Sequence, residues 1–375
     1  MKLFYISQGN IPSKWAHTFQ AMKMAEAFAS RVDDVRMLTR GHWLAPLFPR
    51  FDFKGWYGLR KPFRVVRLPS RGTPLRGIIQ GVRYPRFDEA AVRHAKRKHA
   101  DLVYTRSAYA GLLAARAGLS TILETHMEFN HPEFAKVLEA AGHPSLRGVV
   151  TISPELRDLY RDAGLEADIL VWPDAMDPEK FTGLPAKSEL RARHAIPKNA
   201  FTAVYCGNLY PDRGVEEILA AAKLLPHIHF VLAGGWDKDV AERRAQAKHM
   251  PNAAFPGFVP NGQLPGLLAA ADCLLMPYSA KCNTAGWMSP LKMFEYMASG
   301  RPVIATDLPA LRKHIEDGRN GLLVPSGDGA ALAEAVKRLA GDPALAHRLG
   351  DQGREDVAPY SWDNRARDIL EWAGR

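Results

Sequence analysis

Two α/β domains in series, each a doubly wound parallel sheet with helices on both faces, is the fold class that this sequence predicts. Three observations predict it. At 375 residues the chain exceeds the size at which a single hydrophobic core stops growing. Short β-branched and aromatic runs alternate with helical patterns along its whole length, the signature of parallel sheets. The series of strands also starts twice, with a proline-bearing stretch between the two runs.

In chain order, strands are expected at KLFYIS, DVRML, RVVRLP, DLVYT, TILET, GVVTI and DILV, with helices near residues 15–30, 86–99, 107–117, 133–141 and 154–163. These make a first domain over residues 1–178. Residues 179–198, bearing Pro185 and Pro197, read as a linker. TAVYC, IHFVLAG, AAFP, CLLMPY, PVIAT and GLLVP then make a second domain over residues 199–360. The final helix, within 361–375, is assigned to the first domain, although its sequence does not show where it packs.

Composition narrows the class further. With 47% hydrophobic and 24% charged residues the chain reads as an ordinary globular protein. No apolar run reaches membrane-spanning length; ILAAAKLLPHIHFVLAGG is broken by Lys223, Pro226 and His227. MKLFYISQGN turns polar at Ser7, too early for a signal-peptide core. Cys206, Cys273 and Cys282 are odd in number and lack CxxC spacing, so neither a disulfide framework nor a zinc site is expected. A reducing, cytoplasmic setting follows as the expectation, with a peripheral place at the inner face of the cell membrane left open.

Charge is unevenly placed. Residues 1–120 hold 22 Lys/Arg against 7 Asp/Glu, whereas the remainder holds 28 against 33. A basic first half suggests an anionic surface or acceptor there. Between His42 and Lys98, arginines are interleaved with Trp43, Phe48, Phe51, Phe53, Trp56 and Tyr57. That stretch reads either as a face for anionic membrane or acceptor, or as loops wrapped on the domain. No nucleic-acid-binding module accompanies the charge, so nucleic acid is not an expected partner.

Open parallel sheets bind ligands beyond the carboxyl ends of their strands. KLFYIS runs there into Gln8-Gly9-Asn10, TILET into His126, TAVYC into GNLYPDRG, and CLLMPY into a loop that ends in SPLKMFEYMASG. In the last of these, Ser289 reads as a helix N-cap and Pro290 as the first helical residue. The free amides of Leu291 and Lys292, with the helix dipole and the Lys292 charge, make a phosphate site. Glu295, one turn on among Phe294, Met297 and Ala298, needs a polar partner if buried. Arg213 opens another helix, where a cation is disfavoured unless an anion binds. Asp237-Lys238-Asp239 mimics a DxD metal motif, but its place before a helix reads as capping. No metal or cofactor is expected.

SPLKMFEYMASGRPVIATD resembles the signature helix of the retaining glycosyltransferases of family 4, which have the GT-B fold of two facing Rossmann-like domains. GNLYPDRGVEEIL resembles that family's diphosphate-binding loop, ETH at Glu124 to His126 its histidine segment, and IPSKWAHTFQAMKMAEAFA its first loop and helix. The resemblance implies a donor domain in the second half, an acceptor domain in the first, and sugar transfer from a nucleotide diphosphate to a glycan or lipid-linked acceptor. It implies that Glu295 binds the donor ribose and that His126 touches the transferred sugar. Arg213, Lys292, Ser289, Leu291, Asn208 and Gly9 would serve the diphosphate.

Two departures stand out. Asn208 occupies a position where the family often has arginine, and Trp287 one where it usually has a glutamate for sugar hydroxyls. Trp287 with Asn283 and Thr284 would then shape the donor-sugar pocket. An epimerase or phosphorylase on the same fold, and a catalytically silent nucleotide-sugar binding protein, remain alternatives.

Overall fold

The computed structural model describes residues 1–41, 52–69 and 86–374. Trp43, Phe48 and Phe51, with Arg50, Arg71, Arg76 and Arg83, lie outside these residues. The chain divides into two compact units, Met1–Pro173 with Trp362–Arg375, and Asp174–Ser361.

The first unit holds β1 (Lys2–Asn10), β2 (Asp34–Arg40), β3 (Arg64–Leu68), β4 (Leu102–Thr105), β5 (Thr121–Thr125), β6 (Leu146–Thr151) and β7 (Ile169–Val171), all parallel. Their order is β3-β2-β1-β4-β5-β6-β7. The chain reverses its direction of winding between β1 and β4, so the crevice for a ligand opens there. Helices cover both faces, which is why Leu3, Phe4, Tyr5 and Ile6 of β1 are all fully buried instead of alternating. The β1–β2 ladder slips between Ser7 and Asn10, freeing Gln8 and Gly9 from regular pairing. The final helix, Trp362–Ala373, buries Trp362, Arg365, Ala366 and Ile369, a stripe of helical period. Tyr57, in the stretch read either as a membrane or acceptor face or as loops wrapped on the domain, is fully buried, its hydroxyl accepting from the Ser13 amide at 2.8 Å, which fits the second reading at this residue.

The second unit holds β8 (Thr202–Cys206), β9 (His229–Ala233), β10 (Ala253–Gly257), β11 (Cys273–Met276), β12 (Val303–Thr306) and β13 (Leu322–Val324) in the order β10-β9-β8-β11-β12-β13. Its switch point lies between β8 and β11. Residues 179–198 differ from the expected linker. They continue the turn Pro178–Phe181 and contain the helix Lys187–Arg193, with Leu190 and Ile196 buried in the unit's core. Lys187 and Arg191, one helical turn apart, both pair with Asp272 at 2.5 Å. The prolines here border short elements of a packed segment and do not mark a free tether.

Among the described residues no helix is long and apolar enough to cross a membrane.

Candidate functional site

The expected site residues gather into two groups, one in each unit. In the second unit the helix Leu291–Ala298 starts beside the ends of β8 and β11. Pro290, extended at φ −74° and ψ 123°, is its N-cap, and its carbonyl accepts from Met293 N at 2.9 Å. Leu291 and Lys292 therefore fall at the first two helical positions, whose amides have no intrahelical acceptor. Ser289 does not cap the helix. It sits one residue too far out, and its hydroxyl accepts from the Asp174 amide at 2.8 Å, tying the helix start to the unit's first residue.

The Lys292 ammonium lies 4.0 Å from the centre of the Tyr205 ring and 5.2 Å from that of Tyr278. Arg213 stands over the same Tyr278 ring at 5.1 Å. Among the described residues Lys292 has no carboxylate partner, and Arg213 has only Asp212 at 3.5 Å. Aromatic faces hold a cation without neutralising it, so much of both charges is left for an anion. Burial, and next the repulsion of Arg213, push the Lys292 ammonium down to about 7.

Gly207 makes this approach possible: a Cβ there would lie 2.4 Å from Lys292 Nζ. Gly214, at φ 78°, lets the loop after β8 press on that after β11, since a Cβ would meet the Pro277 carbonyl oxygen at 1.7 Å. Asn208, half-buried beside Gly207, accepts the Tyr205 hydroxyl on its carbonyl at 2.6 Å. Glu295 is buried one turn beyond Lys292. Its charge adds to burial in pushing the Cys206 thiol, at the end of β8, up to about 12, against the pull of Lys292.

The loop before this helix carries Asn283, Thr284 and Trp287. The Thr284 carbonyl accepts from the Trp287 and Met288 amides at 3.0 and 2.8 Å, and its hydroxyl lies 3.2 Å from Cys282 Sγ. Asn283 is exposed. The indole Nε1 of Trp287 is buried and has no acceptor among the described residues. Asp237 and Asp239 start the helix Asp237–Gln246, where Asp239 accepts from the Trp236 amide at 3.2 Å.

In the first unit the group centres on Glu124, fully buried at the end of β5. Its carboxylate accepts from Gln20 Nε2 at 2.7 Å, His126 Nε2 at 2.7 Å, the Tyr104 hydroxyl, and Arg365 at 3.0 and 3.3 Å. Five donors require an ionised acceptor, and Arg365 first among the charges holds the carboxyl well below its usual range against burial. His126 therefore donates from Nε2. Its Nδ1 faces Arg106 at 2.8 Å, and a guanidinium can only donate, so Nδ1 accepts. Burial and then Arg106 push this imidazole down to about 4. It is neutral, has both nitrogens engaged, and is not a general base at neutral pH.

Gly9 packs closely on the following helix, where a Cβ would lie 2.6 Å from Thr18 Cγ2. Arg106, Gln20 and Arg365 were not singled out from sequence, nor were the rings of Tyr205 and Tyr278. The visible signals were a carboxylate inside the buried strand TILET and an arginine within the apolar stripe of the last helix.

An anion that is not itself titrating should favour the charged form of Lys292. Binding of a diphosphate diester is then accompanied by proton uptake above pH 7. Its affinity should be flat below about pH 6 and weaken by up to about tenfold per unit as pH rises past 7. Calorimetry in buffers of different ionisation heat measures both effects, and Lys292→Met should flatten the profile.

Comparison with known proteins extends over both units. Residues 20–180 match the model for Glycosyltransferase Family 4, and residues 200–342 that for Glycosyl transferases group 1. The chain is 27% identical over 234 residues to phosphatidyl-myo-inositol mannosyltransferase of Mycobacterium leprae, which covers 61% of this chain and 59% of that one. It is 28% identical over 330 residues to alpha-D-kanosaminyltransferase of Streptomyces kanamyceticus, covering 82% and 80%. Several curated relatives are matched over about half to two thirds of their own length. Among solved structures, the chain is similar to HepE of Anabaena in complex with UDP, with TM-score 0.75, 18% identity and 99% of each chain covered. It is similar also to sucrose-phosphate synthase of Thermosynechococcus elongatus, with TM-score 0.76, 22% identity, and 99% and 97% covered. Both likenesses are likenesses of fold. With two parallel sheets of this topology and a family model matched in each half, the chain belongs to glycosyltransferase family 4 and has the GT-B fold.

Proposed function

We propose that this protein is a retaining glycosyltransferase that moves a sugar from a nucleotide-diphosphate donor to a glycan or lipid-linked acceptor. One observation carries the reading. Two incompletely neutralised cations, Lys292 and Arg213, stand on tyrosine faces beside the unbonded first amides of a helix, with the Glu295 carboxylate one turn away. Cations and amides suit a diphosphate, and a buried carboxylate suits the hydroxyls of a ribose. HepE, similar in fold, has been solved with UDP-glucose, and the M. leprae relative is named as a mannosyltransferase.

In this reading the diphosphate rests on Arg213, Lys292 and the Leu291 and Lys292 amides, and Glu295 takes the ribose. His126 is a neutral, fixed group near the sugar. Retention needs no base from the protein if the departing diphosphate takes the acceptor proton on the face it leaves. A neutral His126 fits that requirement. Because these cations carry the diphosphate charge, no divalent metal is required. The test is a screen of nucleotide sugars against glycan and lipid-linked acceptors, with and without EDTA, reading the anomer formed. A retained anomer and full activity in EDTA are expected. An inverted product, or activity that only a divalent ion restores, overturns the proposal. Donor binding with no transfer to any acceptor would favour the silent binding protein.

Trp287 is proposed to choose the donor sugar. A glutamate here would accept bonds from ring hydroxyls, whereas an indole stacks on the apolar face of the ring and donates one bond. Its N–H is buried and unspent, so a sugar acceptor would satisfy it. Wild type should prefer a deoxy or acetamido sugar, and Trp287→Glu should shift preference toward a fully hydroxylated hexose. Competition measured as the ratio of kcat/KM values reads this directly, and identical ratios in the two proteins would remove Trp287 from the choice.

A further inference from the structure

Glu124 sets the orientation of two further side chains. The amide of Gln20 gives its NH2 to the carboxylate at 2.7 Å, which turns its oxygen toward Arg106 NH1 at 3.0 Å. His126 likewise gives Nε2–H to Glu124 and presents Nδ1 to Arg106 NH2 at 2.8 Å. One buried carboxylate thus converts an amide and an imidazole into a matched pair of acceptors for one guanidinium. Arg365, fully buried, holds that carboxylate in turn.

Both acceptors of Arg106 are neutral. Among the described residues Glu124 is the only carboxylate bonded within the group, and it already compensates Arg365. His17, close enough to feel Arg106, is lowered first by burial and then by that guanidinium, so it adds no negative charge. Asp88, the other acid at this end of the sheet, accepts from Gln8 and Ser107, and among the described residues it forms no ion pair with Arg106. Two guanidiniums against one carboxylate leave one positive charge, and Arg106, the partly exposed one of the two, is where an anion can complete it. Arg106 directly follows β4, at the crevice between β1 and β4, and is itself half-exposed.

We propose that Arg106 is an anion-binding residue of the first unit, held by Gln20 and His126 to receive a phosphoryl group of a substrate. The proposal rests on the transferase reading only for the nature of that substrate. The phosphoryl group comes either from the donor diphosphate or from a phosphorylated acceptor, and the two sources share one chemistry. The device also gives Arg365 and Glu124 a part in positioning the guanidinium.

The experiment titrates the full chain with UDP, and with inorganic phosphate while UDP is saturating, in wild type, Arg106→Gln, Arg106→Lys and Lys292→Met. At least tenfold weaker binding of one of these anions is expected in Arg106→Gln, with partial recovery in Arg106→Lys and an unchanged thermal midpoint. Loss with UDP assigns Arg106 to the donor; loss with phosphate assigns it to an acceptor phosphoryl group. Equal affinity of Arg106→Gln and wild type for both anions overturns the proposal. If Arg106→Gln is unstable, phenylglyoxal labelling of wild type, mapped by mass spectrometry, replaces it. Arg106 should be protected by one of the two anions, and labelling at an unchanged rate with either overturns the proposal. The outcomes separate it from the functional reading. UDP binding lost in Lys292→Met but kept in Arg106→Gln, with phosphate binding unaltered, sinks the Arg106 proposal alone. Failure of UDP to bind wild type, with Arg106 still protected by phosphate, sinks the donor reading alone.

Discussion

Replacing Lys292 by methionine is expected to weaken nucleotide-sugar binding by about 1.5–3 kcal/mol, roughly one to two powers of ten in Kd, as for a lost hydrogen bond to a charged group. The free protein should respond in the opposite sense. Its ammonium is held between tyrosine rings and beside Arg213, with burial pushing it down to about 7, so near neutrality the folded state bears a cost for keeping the charge. Methionine fills similar space without that charge, and the thermal midpoint should hold or rise. Glu295→Gln should also lose about 1–3 kcal/mol of donor affinity, through the ribose hydroxyls, while keeping the pH profile set by Lys292. Calorimetric titration with melting curves on the three proteins decides the matter. Unchanged donor affinity in Lys292→Met would take the helix start out of the donor site.

Glu124→Ala should have the largest effect on stability. It leaves Arg365, fully buried, without its counter-charge, and breaking a buried pair in this way costs about 3–5 kcal/mol. Gln20, His126 and Tyr104 lose their acceptor at the same time. The thermal midpoint, followed by calorimetry, should drop sharply. Arg365→Met should also destabilise, and the double variant should cost less than the sum of the two single changes. The pH dependence has a definite sign. Glu124 is held below its unfolded value, so its contribution is complete above the unfolded carboxyl value and is lost as pH falls through the depressed folded one. Equal acid sensitivity in wild type and the double variant would show that this pair does not govern it.

The strands were legible because parallel strands buried on both faces read as short apolar runs, and KLFYIS and TAVYC lie within β1 and at β8. The loops at their carboxyl ends were legible for the same reason, since Asn208 and Arg213 lie between β8 and the next helix and Lys292 lies in the first turn of a helix. The helix cap at Ser289 was misread because Pro290 can serve either as a cap or as a first helical residue. The hydroxyl's actual partner, Asp174, lies 115 positions away. The stretch 179–198 was misread because its prolines suggested a tether, while Leu190 and Ile196 found a core that no local window reveals.

By itself, then, the sequence determined the two parallel sheets and the loops at the carboxyl ends of their strands, because strand period, helix starts and glycine turns are properties of neighbouring residues. The tertiary structure alone decided which charges meet. Arg365 reaches Glu124 across 241 positions, and Lys292 comes to rest on Tyr205 only after β8 and the later helix have packed. Whether a buried charge is neutralised or left for a ligand depends on partners brought together by folding, and spacing along the chain does not encode that.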